Sequence, residues 1–324
     1  MTSRRQGNYI AISGGVGGAK LALGLSRVLA PDQLTIVANT GDDFDHLGFF
    51  ISPDIDTVMY TLADLSNKEL GWGLAGESWQ FLEALERLGG EAWFRLGDRD
   101  LATHVMRTAL LRQGATLSAA TGQLCSALGI AHPVVPMSDD PVPTVVHTKD
   151  GDLGFQHYFV RDHCEPEVTG FEFKGIEAAH PAPAFADALA ADELSAVIVC
   201  PSNPFVSVDP VLHLPGVMDA IHRARVPMIA VSPIVGGRAI KGPAAKMMAE
   251  LGMPQTALAV AEHYVGRVDG FVLDDEDAGL ESAVQDLGME TLVTNTIMTT
   301  LDDRVALAEC TLDFARRIGT GNTK

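Results

Sequence analysis

A run of glycines follows the first apolar stretch of the chain and constrains its fold more than any other feature. Asn8–Ser13 is apolar enough for a short buried strand, and it leads directly into Ser13-Gly14-Gly15-Val16-Gly17-Gly18-Ala19-Lys20. Ala19–Leu29 then carries apolar residues at helical spacing, and Leu34–Ala38 is a second apolar strand. A strand, a glycine loop, a helix and a strand within about thirty residues form a βαβ unit, which predicts a parallel sheet.

The same alternation returns in the second half of the chain. Four further apolar strand patterns occur at Ala196–Val199, Met228–Val231, Gly270–Leu273 and Thr291–Val293. Helical patterns separate them, and Asp302–Arg317 is predicted to be a closing helix. The sequence therefore predicts an α/β fold whose doubly wound, Rossmann-like parallel sheet is built from residues 1–65 and 185–324.

Residues 66–184 have a different pattern and are predicted to form a mostly helical insertion subdomain. Helical spacing covers Glu77–Leu88 and Leu101–Arg112. Thr144–His147 and Leu153–Val160 alternate like short strands.

The glycine loop itself indicates phosphate or nucleotide binding, or else only a tight turn from strand to helix. Glycines let backbone N–H groups approach a phosphate, and the following helix N-terminus adds partial positive charge. The loop is not a Walker A motif, because Ala19-Lys20-Leu21 offers no hydroxyl for magnesium. It is not a dinucleotide fingerprint either, because Lys20 occupies the position of the third glycine and Asn39 ends the second strand, where an NAD-dependent oxidoreductase needs an acidic residue.

Charge and cysteine content exclude several classes of protein. The chain has 23 Lys+Arg against 42 Asp+Glu, a formal charge of −19, which argues against nucleic-acid binding. Its four cysteines are scattered without C-x-x-C spacing, and its histidines lack H-x-x-x-H spacing, so neither a disulfide framework nor a zinc site is expected. No uncharged apolar run is long enough to span a membrane. We therefore expect a soluble protein of the reducing cytoplasm.

An acidic segment follows the second strand. Between Val28 and Asn67 there is no Lys or Arg, yet there are seven aspartates: Asp32, Asp42, Asp43, Asp45, Asp54, Asp56 and Asp64. Clustered carboxylates beside a strand end suggest a bound cation, and oxygen ligands without Cys or His favour Mg²⁺ or Ca²⁺. Helix capping and solvation of a loop are the alternative for each single aspartate.

Three more segments are candidates for ligand contact. In the run Arg95–His104, Asp98 or Asp100 could cap a helix with Arg99 as its ion-pair partner, or the run could serve a site. Cys200–Val208 and Ser232–Gly237, the latter continued by Lys241-Gly242-Pro243, follow adjacent strands with small hydroxyl and amide residues, which suggests one shared cleft. The three tryptophans are expected in the core, with stacking on a planar ring as the alternative for Trp72.

Taken together, these segments resemble the 2-phospho-L-lactate transferases of deazaflavin coenzyme F-420 biosynthesis. The resemblance spans nearly the whole chain in eight ordered blocks: Ser13–Lys20, Asn39–Asp43, Ser52–Thr57, Leu96–His104, Pro136–Val142, Phe155–Val160, Pro201–Val208 and Ser232–Pro243. It implies transfer of a phospho-acyl group from a guanylylated phospho-acid to the ribityl hydroxyl of the deazaflavin Fo, with Mg²⁺ as cofactor and GMP as the second product. It also implies a homodimer, and an insertion that contributes to the deazaflavin pocket.

The resemblance also implies roles for individual residues. Asp42 and Asp56 would bind the metal with Asp43 as a further candidate, and Asp42, Asp56 and Arg95 would be catalytic, Asp56 orienting or deprotonating the attacking hydroxyl. Fo would lie near Asp56, Arg95, Asp98, Arg99 and His104. The guanosine diphosphate moiety would contact Gly14, Gly15, Gly17, Gly18, Lys20, Asn39, Ser202, Asn203, Ser207, Gly236, Gly237 and Lys241.

Two questions stay open at the level of sequence. His157 departs from the family pattern, which suggests an acidic residue at this position. The donor could carry phospholactate, phosphoenolpyruvate or 3-phosphoglycerate, because all three present a carboxylate and a phosphate. A regulatory protein that binds a nucleotide sugar on the same core is the alternative function, although it has no evident use for the run Leu96–His104.

Overall fold

The computed structural model describes residues 7–68, 71–240 and 242–321. Its helices are α1 (Gly15–Val28), α2 (Pro53–Leu62), α3 (Gln80–Arg87), α4 (Asp98–Arg112), α5 (Leu117–Ala127), α6 (Pro183–Ala190), α7 (Asp209–Leu212), α8 (Val217–Ala224), α9 (Ala244–Glu250), α10 (Ala257–His263), α11 (Glu281–Gln285) and α12 (Leu301–Gly321). Its strands are β1 (Asn8–Ser13), β2 (Leu34–Ala38), β3 (Phe44–His46), β4 (Phe49–Ile51), β5 (Val134–Pro136), β6 (Thr144–Thr148), β7 (Gly151–Gly154), β8 (Val168–Phe173), β9 (Leu194–Val199), β10 (Met228–Val231), β11 (Ile234–Val235), β12 (Arg238–Ala239), β13 (Gly270–Leu273) and β14 (Glu290–Val293).

Seven strands form one parallel sheet in the order β14-β13-β10-β9-β1-β2-β5. The order reverses at β1, whose neighbours are β2 on one side and β9 on the other, so the predicted doubly wound α/β sheet is confirmed. In such a sheet the ligand site lies beyond the carboxyl ends of the strands where the order reverses. Here that point is the end of β1, where the glycine loop begins.

Side chains of the central strands alternate between two hydrophobic layers. Ile10 and Ile12 of β1 pack into the layer beneath α6, α8, α9 and α10, whereas Tyr9 and Ala11 pack into the layer beneath α1, α2, α5 and α12. Both faces of the sheet are therefore covered, as parallel sheets require. The carboxyl edge is left to carry the loops of the site.

Residues 66–184, predicted as the insertion, contain α3, α4, an antiparallel sheet in the order β7-β6-β8, and α5, which packs against the core sheet. One strand within 66–184, β5, leaves it to pair with β2 at the edge of the core sheet. The predicted strand Leu153–Val160 is wrong in its second half, since β7 ends at Gly154 and His157–Arg161 form a π-helical turn. Phe155 and Tyr158, three residues apart, are both buried on one side of the segment, which a helical turn permits and a strand does not.

None of the helices in the described ranges has the length and apolar character needed to cross a bilayer.

Candidate active site

A cleft of about 570 Å³ opens at the carboxyl edge of the sheet, where the strand order reverses. One wall is formed by the glycine loop together with the loops after β9, β10 and β14. The opposite wall is formed by aromatic segments of residues 66–184, and the first turn of α2 lies next to the glycine loop, to which it is hydrogen-bonded. The cleft therefore lies between the core and the insertion.

The glycine loop can lie this close to the neighbouring loop only because its residues lack side chains. The N–H of Gly14 donates to Ser202 Oγ at 3.2 Å, and the same hydroxyl donates to the carbonyl of Gly14 at 2.9 Å. A Cβ on Gly17 would collide with the backbone carbonyl oxygen of Pro201. Gly15 has φ +63° and begins α1, so the loop exposes backbone N–H groups at a helix N-terminus.

The predicted nucleotide-binding residues occupy different depths in this wall. Those that line the cleft are Gly14, Gly15, Gly17, Lys20, Ser202, Asn203 and Ser207. Gly18 lies behind them, against Ser13 and Ser202. The ammonium of Lys20 donates to the carbonyl of Met298 at 2.9 Å, which ties α1 to the segment before α12.

Other residues of that prediction lie elsewhere. Gly236 and Gly237 form the turn between β11 and β12, and the N–H of Gly236 donates to Asp277 at 3.1 Å, away from the lining of the cleft. Lys241 lies outside the described residues. Ser232 and Pro233, at the start of the same loop, do line the cleft beside Ser202 and Asn203, so the two late loops share one cavity as their sequences suggested.

Two carboxylates face each other on the floor of the cleft, Asp42 after β2 and Asp54 in the first turn of α2. The amide of Asn39 donates to both, to Asp54 Oδ2 at 2.9 Å and to Asp42 Oδ1 at 3.4 Å. Gln156 donates to Asp42 Oδ2 at 3.1 Å, and the N–H of Gly15 donates to Asp54 Oδ1. These neutral donors orient both carboxylates without neutralising them.

Burial and mutual repulsion make this pair costly to ionise. Burial raises the pKa of Asp54 to about 6, and the hydrogen bonds from Asn39 and Gly15 oppose that rise. Burial and then the charges of Asp54 and Asp43 hold the pKa of Asp42 well above its ordinary value. A divalent cation bound by both carboxylates would offset their repulsion and so lower the free-energy cost of ionising them. The chemistry of the donors therefore fits Mg²⁺.

The two other predicted metal ligands lie behind the floor and outside the lining of the cleft. Asp43 Oδ1 accepts a hydrogen bond from Ser52 Oγ at 2.6 Å, and burial raises the pKa of this carboxyl too. Asp56 is on the opposite side of α2 from Asp54 and forms a two-pronged ion pair with the fully buried guanidinium of Arg107 on α4. Both of its carboxylate oxygens are thus occupied by a cation that the chain itself supplies.

The ion pair of Asp56 belongs to a buried polar network between α2 and α4. His104 Nδ1 lies 3.6 Å from Asp56 Oδ2, and His104 Nε2 lies 3.3 Å from Asp100 Oδ2. The hydroxyl of Tyr60 donates to Asp100 Oδ1 at 2.5 Å. His104, predicted to lie near the deazaflavin, is 1% exposed and contributes to this network rather than to the cleft.

Asp98 and Arg99, also predicted near the deazaflavin, stabilise local structure. Asp98 accepts hydrogen bonds from the N–H groups of Gln80 and Phe81 and so caps the start of α3. Arg99 donates to the carbonyl of Ala75 at 2.7 Å. Asp98 is therefore a helix cap, but of α3 and not of α4, the helix that begins in this run; the first N–H groups of α4 donate to Glu77 instead.

Arg95 does line the cleft, and its guanidinium stacks on tryptophan rings. It lies 4.4 Å from the ring centre of Trp79 and 5.9 Å from that of Trp72. Trp72 is 40% exposed and lines the cleft, so it is not the core residue that the sequence led us to expect. With Trp93, Phe94, Phe155 and Phe159 it makes the insertion side of the cleft an aromatic wall.

Sequence reasoning gave no site role to three residues of the cleft or of its supporting network, Asp54, Gln156 and Arg107, although Asp54 was one of the seven aspartates of the acidic segment. Asp54 follows Ser52-Pro53 at the start of a helix, where an acidic residue is expected for capping alone. Gln156 and Arg107 reach the site from elements 114 and 51 residues away from their partners Asp42 and Asp56. No local pattern could have paired them.

Comparisons with known proteins agree on one family. The chain matches the family model described as 2-phospho-L-lactate transferase CofD over residues 10–302. A 2-phospho-L-lactate transferase of Methanosarcina acetivorans is 39% identical over 93% of this chain and 96% of its own length. A phosphoenolpyruvate transferase of Streptomyces avermitilis is 40% identical over 96% of this chain and 99% of its own length.

The fold has a counterpart among solved structures. A UPF0052 family member from Bacillus halodurans superposes with a TM-score of 0.62, covering 96% of this chain and 100% of that one. The sequences are 14% identical, so this likeness concerns the fold alone.

Proposed function

The chain belongs to the CofD family of 2-phospho-L-lactate transferases, and we propose that it makes a precursor of coenzyme F-420 by transferring a phospho-acyl group to the deazaflavin Fo. The donor is a phospho-acid joined to GMP through a diphosphate, and GMP is released. The observation that carries the proposal is the family match over residues 10–302 together with a cleft in which a glycine loop faces two buried carboxylates.

The guanosine diphosphate part of the donor fits the wall made by the core. Backbone N–H groups at the start of α1 can donate to phosphate oxygens, and Lys20 lines the same wall. Small polar side chains from the loops after β9 and β10, Ser202, Asn203 and Ser232, can bind the nucleoside. This wall also suits a nucleotide sugar, so it is the opposite wall that favours a transferase.

We propose Asp42 and Asp54 as the residues that hold Mg²⁺, in place of Asp56. They are the two carboxylates of the cleft lining that have no cationic partner among the described residues. When bound, the ion neutralises the charge of the diphosphate and orients it for displacement. Asn39 and Gln156 hold the two carboxylates in place through their amides.

The aromatic wall and Arg95 fit the acceptor. Trp72, Trp93, Phe94, Phe155 and Phe159 provide apolar area and ring faces for a planar tricyclic ring. The stacked guanidinium of Arg95 is held at this wall, where it can donate to a polar edge of the ring or to the ribityl chain. The terminal ribityl hydroxyl would then point toward the carboxylate floor.

The reaction is a displacement at the phosphorus atom of the phospho-acid. The ribityl oxygen forms a bond to that phosphorus, the bond to the bridging oxygen breaks, and GMP leaves with that oxygen. Transition states of this kind are loose and need positioning and charge neutralisation more than deprotonation of the nucleophile. Asp56, with both oxygens on Arg107, is not available as a base. We propose that the hydroxyl proton passes to water in the open cleft.

We test the proposal with purified protein, Mg²⁺, Fo and three guanylylated donors carrying phospholactate, phosphoenolpyruvate or 3-phosphoglycerate. Mass spectrometry should detect GMP and a phosphodiester of Fo in equal amounts with at least one donor. The identity of the productive donor then defines the substrate, which the relatives' names alone leave between phospholactate and phosphoenolpyruvate.

A regulatory protein would behave differently in the same experiment. It would be stabilised thermally by a nucleotide sugar and would form no diester with any donor. The homodimer that family membership suggests is tested by light scattering after size-exclusion chromatography. The cytoplasmic location that the four free cysteines favour is tested by cell fractionation.

A further inference from the structure

Arg107 is the largest of the fully buried side chains among the described residues, yet it is not one of the residues that line the cleft. An arginine buried at 0% exposure is costly unless it is paired and hydrogen-bonded. Its partner is Asp56, which it binds through two guanidinium nitrogens, one of them 3.1 Å from Asp56 Oδ2. Such a pair fixes orientation as well as charge, because the planar fork of arginine matches both carboxylate oxygens.

One face of helix α2 lines the cleft and the other contacts α4, and Asp56 lies on the face that contacts α4. Asp54 and Thr57, three residues apart, line the cleft. Asp56 and Tyr60, four residues apart, contact α4 through Arg107 and Asp100. Residues 54 and 56 are about 200° apart around the helix axis, so whatever holds Asp56 also sets the direction of Asp54.

From this arrangement we propose that Arg107 is a positioning residue for the metal site, acting through Asp56 to hold Asp54 toward the cleft. The inference rests on the proposed function only in taking Asp42 and Asp54 as the metal ligands. The first turn of α2 is held from one side by the N–H of Gly15 on Asp54 and from the other by Arg107 on Asp56. With one side released, the turn can rotate and the two carboxylates no longer converge.

The same contact links the insertion to the core. Arg107 and His104 belong to α4, within the insertion, whereas Asp56 belongs to the segment that follows β4 at the carboxyl edge of the sheet. The metal site therefore depends on a residue of the insertion that does not touch the metal. This dependence separates the proposal from a purely local role for Arg107.

The test measures binding of Mn²⁺, as a paramagnetic substitute for Mg²⁺, by electron paramagnetic resonance with GDP present. We expect Arg107→Met to raise the Mn²⁺ dissociation constant about tenfold or more, a coupling of ordinary size between neighbouring groups. Arg107→Lys should weaken binding too, because one ammonium cannot reach both carboxylate oxygens of Asp56. GDP binding without metal should change less than about twofold in both variants.

Two further variants separate positioning from stability. Asp56→Asn combined with Arg107→Met removes both charges, so its melting temperature should rise above that of Arg107→Met alone, while weak Mn²⁺ binding persists. Arg267→Met breaks a less buried ion pair, that of Arg267 with Asp209 at 2.8 Å, and should lower the melting temperature to a smaller extent without affecting Mn²⁺ binding. If Arg107→Met does not fold, Arg107→Lys and the double variant provide the same comparison.

Several outcomes would overturn the proposal: wild-type Mn²⁺ affinity in either Arg107 variant, recovered affinity in the double variant, or no Mn²⁺ binding by the wild type. Failure of the proposed function looks different. In that case the wild type binds Mn²⁺ through Asp54, as checked with Asp54→Asn, and the Arg107 variants weaken it, but no diester of Fo forms.

Discussion

The backbone N–H of Gly15 donates to Asp54 Oδ1 at 2.5 Å, so the glycine loop and the first turn of α2 share a hydrogen bond. The donor belongs to the helix N-terminus that can receive a phosphate, and the acceptor belongs to the carboxylate pair that can receive a cation. A bound diphosphate and a bound metal would therefore meet at one junction of the fold. A substitution at Gly15 or at Asp54 should therefore change the affinity for both the diphosphate and the metal ion.

Asp54→Asn and Asp42→Asn should each reduce Mg²⁺-dependent transfer about 100-fold or more, because each replaces an anionic metal ligand by a neutral amide of similar shape. The measurement is the initial rate of GMP release at saturating substrates over a range of Mg²⁺ concentrations. Excess Mg²⁺ should restore only part of the rate.

Asp45→Asn is the matched control for these two variants. Asp45 is in the same acidic segment but is exposed and does not line the cleft. It makes the same change of net charge, so an equal loss of rate in Asp45→Asn would mean that overall charge, and not the carboxylate pair, controls the reaction.

The pH dependence of stability should show the cost of ionising Asp54. Its pKa in the folded protein is about 6, against an ordinary value of 3.8, so the folded chain holds this proton more tightly than the unfolded chain does. Ionisation of Asp54 therefore does not affect the free energy of unfolding below about pH 4 and lowers it by about 3 kcal/mol above about pH 6. Without metal, the free energy of unfolding should fall across this interval relative to Asp54→Asn.

Urea unfolding in EDTA at several pH values tests this sign. The comparison with Asp54→Asn cancels contributions from groups remote from Asp54, such as Asp98, whose lowered pKa acts in the opposite direction. It also includes the relief of Asp42, whose pKa the charge of Asp54 raises. Added Mg²⁺ should reverse the loss at pH 7, because an ion that binds only the folded state stabilises it. A difference between the two proteins that stays constant with pH would contradict the raised pKa.

Asp56→Asn should destabilise the protein by about 3–5 kcal/mol, because it leaves the guanidinium of Arg107 buried without a counter-charge. Urea unfolding at pH 7 measures this loss. The exposed pair of Lys149 and Glu167 is the control, since Glu167→Gln should change stability by less than about 1 kcal/mol. If Asp56→Asn had the same free energy of unfolding in urea as the wild type, the ion pair would not contribute to the stability of the fold.

The sheet could be predicted from the sequence because its strands are short apolar runs with glycine or polar residues at their ends. Met228–Val231 and Gly270–Leu273 were predicted with the bounds that the structure has. The strand prediction was wrong over Phe155–Val160, because aromatic residues that are buried in a helical turn can also fit the alternation of a strand. Periodicity over so few residues does not separate the two.

The position of the candidate site in the fold could be predicted from the sequence, but not which side chains face the cleft. Asp42 and the glycine loop follow strand ends, so their place at the carboxyl edge is a consequence of parallel topology. The choice between Asp54 and Asp56 depends on which side of α2 faces the cleft, and that is decided by Arg107, 51 residues away from Asp56. Contacts over such separations are products of the packed fold.

Arg95→Ala should raise the concentration of Fo needed for half-maximal rate about tenfold, because the guanidinium stacked on Trp79 lies at the aromatic wall proposed for the acceptor. Nucleotide affinity, measured by calorimetry with GDP, should change less than about twofold. Arg87→Ala is the control, as Arg87 is an arginine of α3 outside the cleft lining. Equal weakening of Fo and GDP by Arg95→Ala would contradict the placement of Fo at this wall.

Gly17→Ala should weaken GDP binding at least tenfold and lower stability by about 1–3 kcal/mol, because the new methyl group collides with the backbone carbonyl of Pro201 and forces the two loops apart. Gly122→Ala is the matched substitution, since Gly122 lies within α5 with no atom near the added Cβ. Alanine stabilises a helix relative to glycine by about 0.5–1 kcal/mol, so Gly122→Ala should raise the melting temperature and leave GDP binding unchanged. Calorimetry with GDP and thermal unfolding of both variants separate the requirement for close backbone approach from the general effect of glycine on helices. Normal GDP binding by Gly17→Ala would mean that the glycine loop is a turn between strand and helix and takes no part in holding the nucleotide.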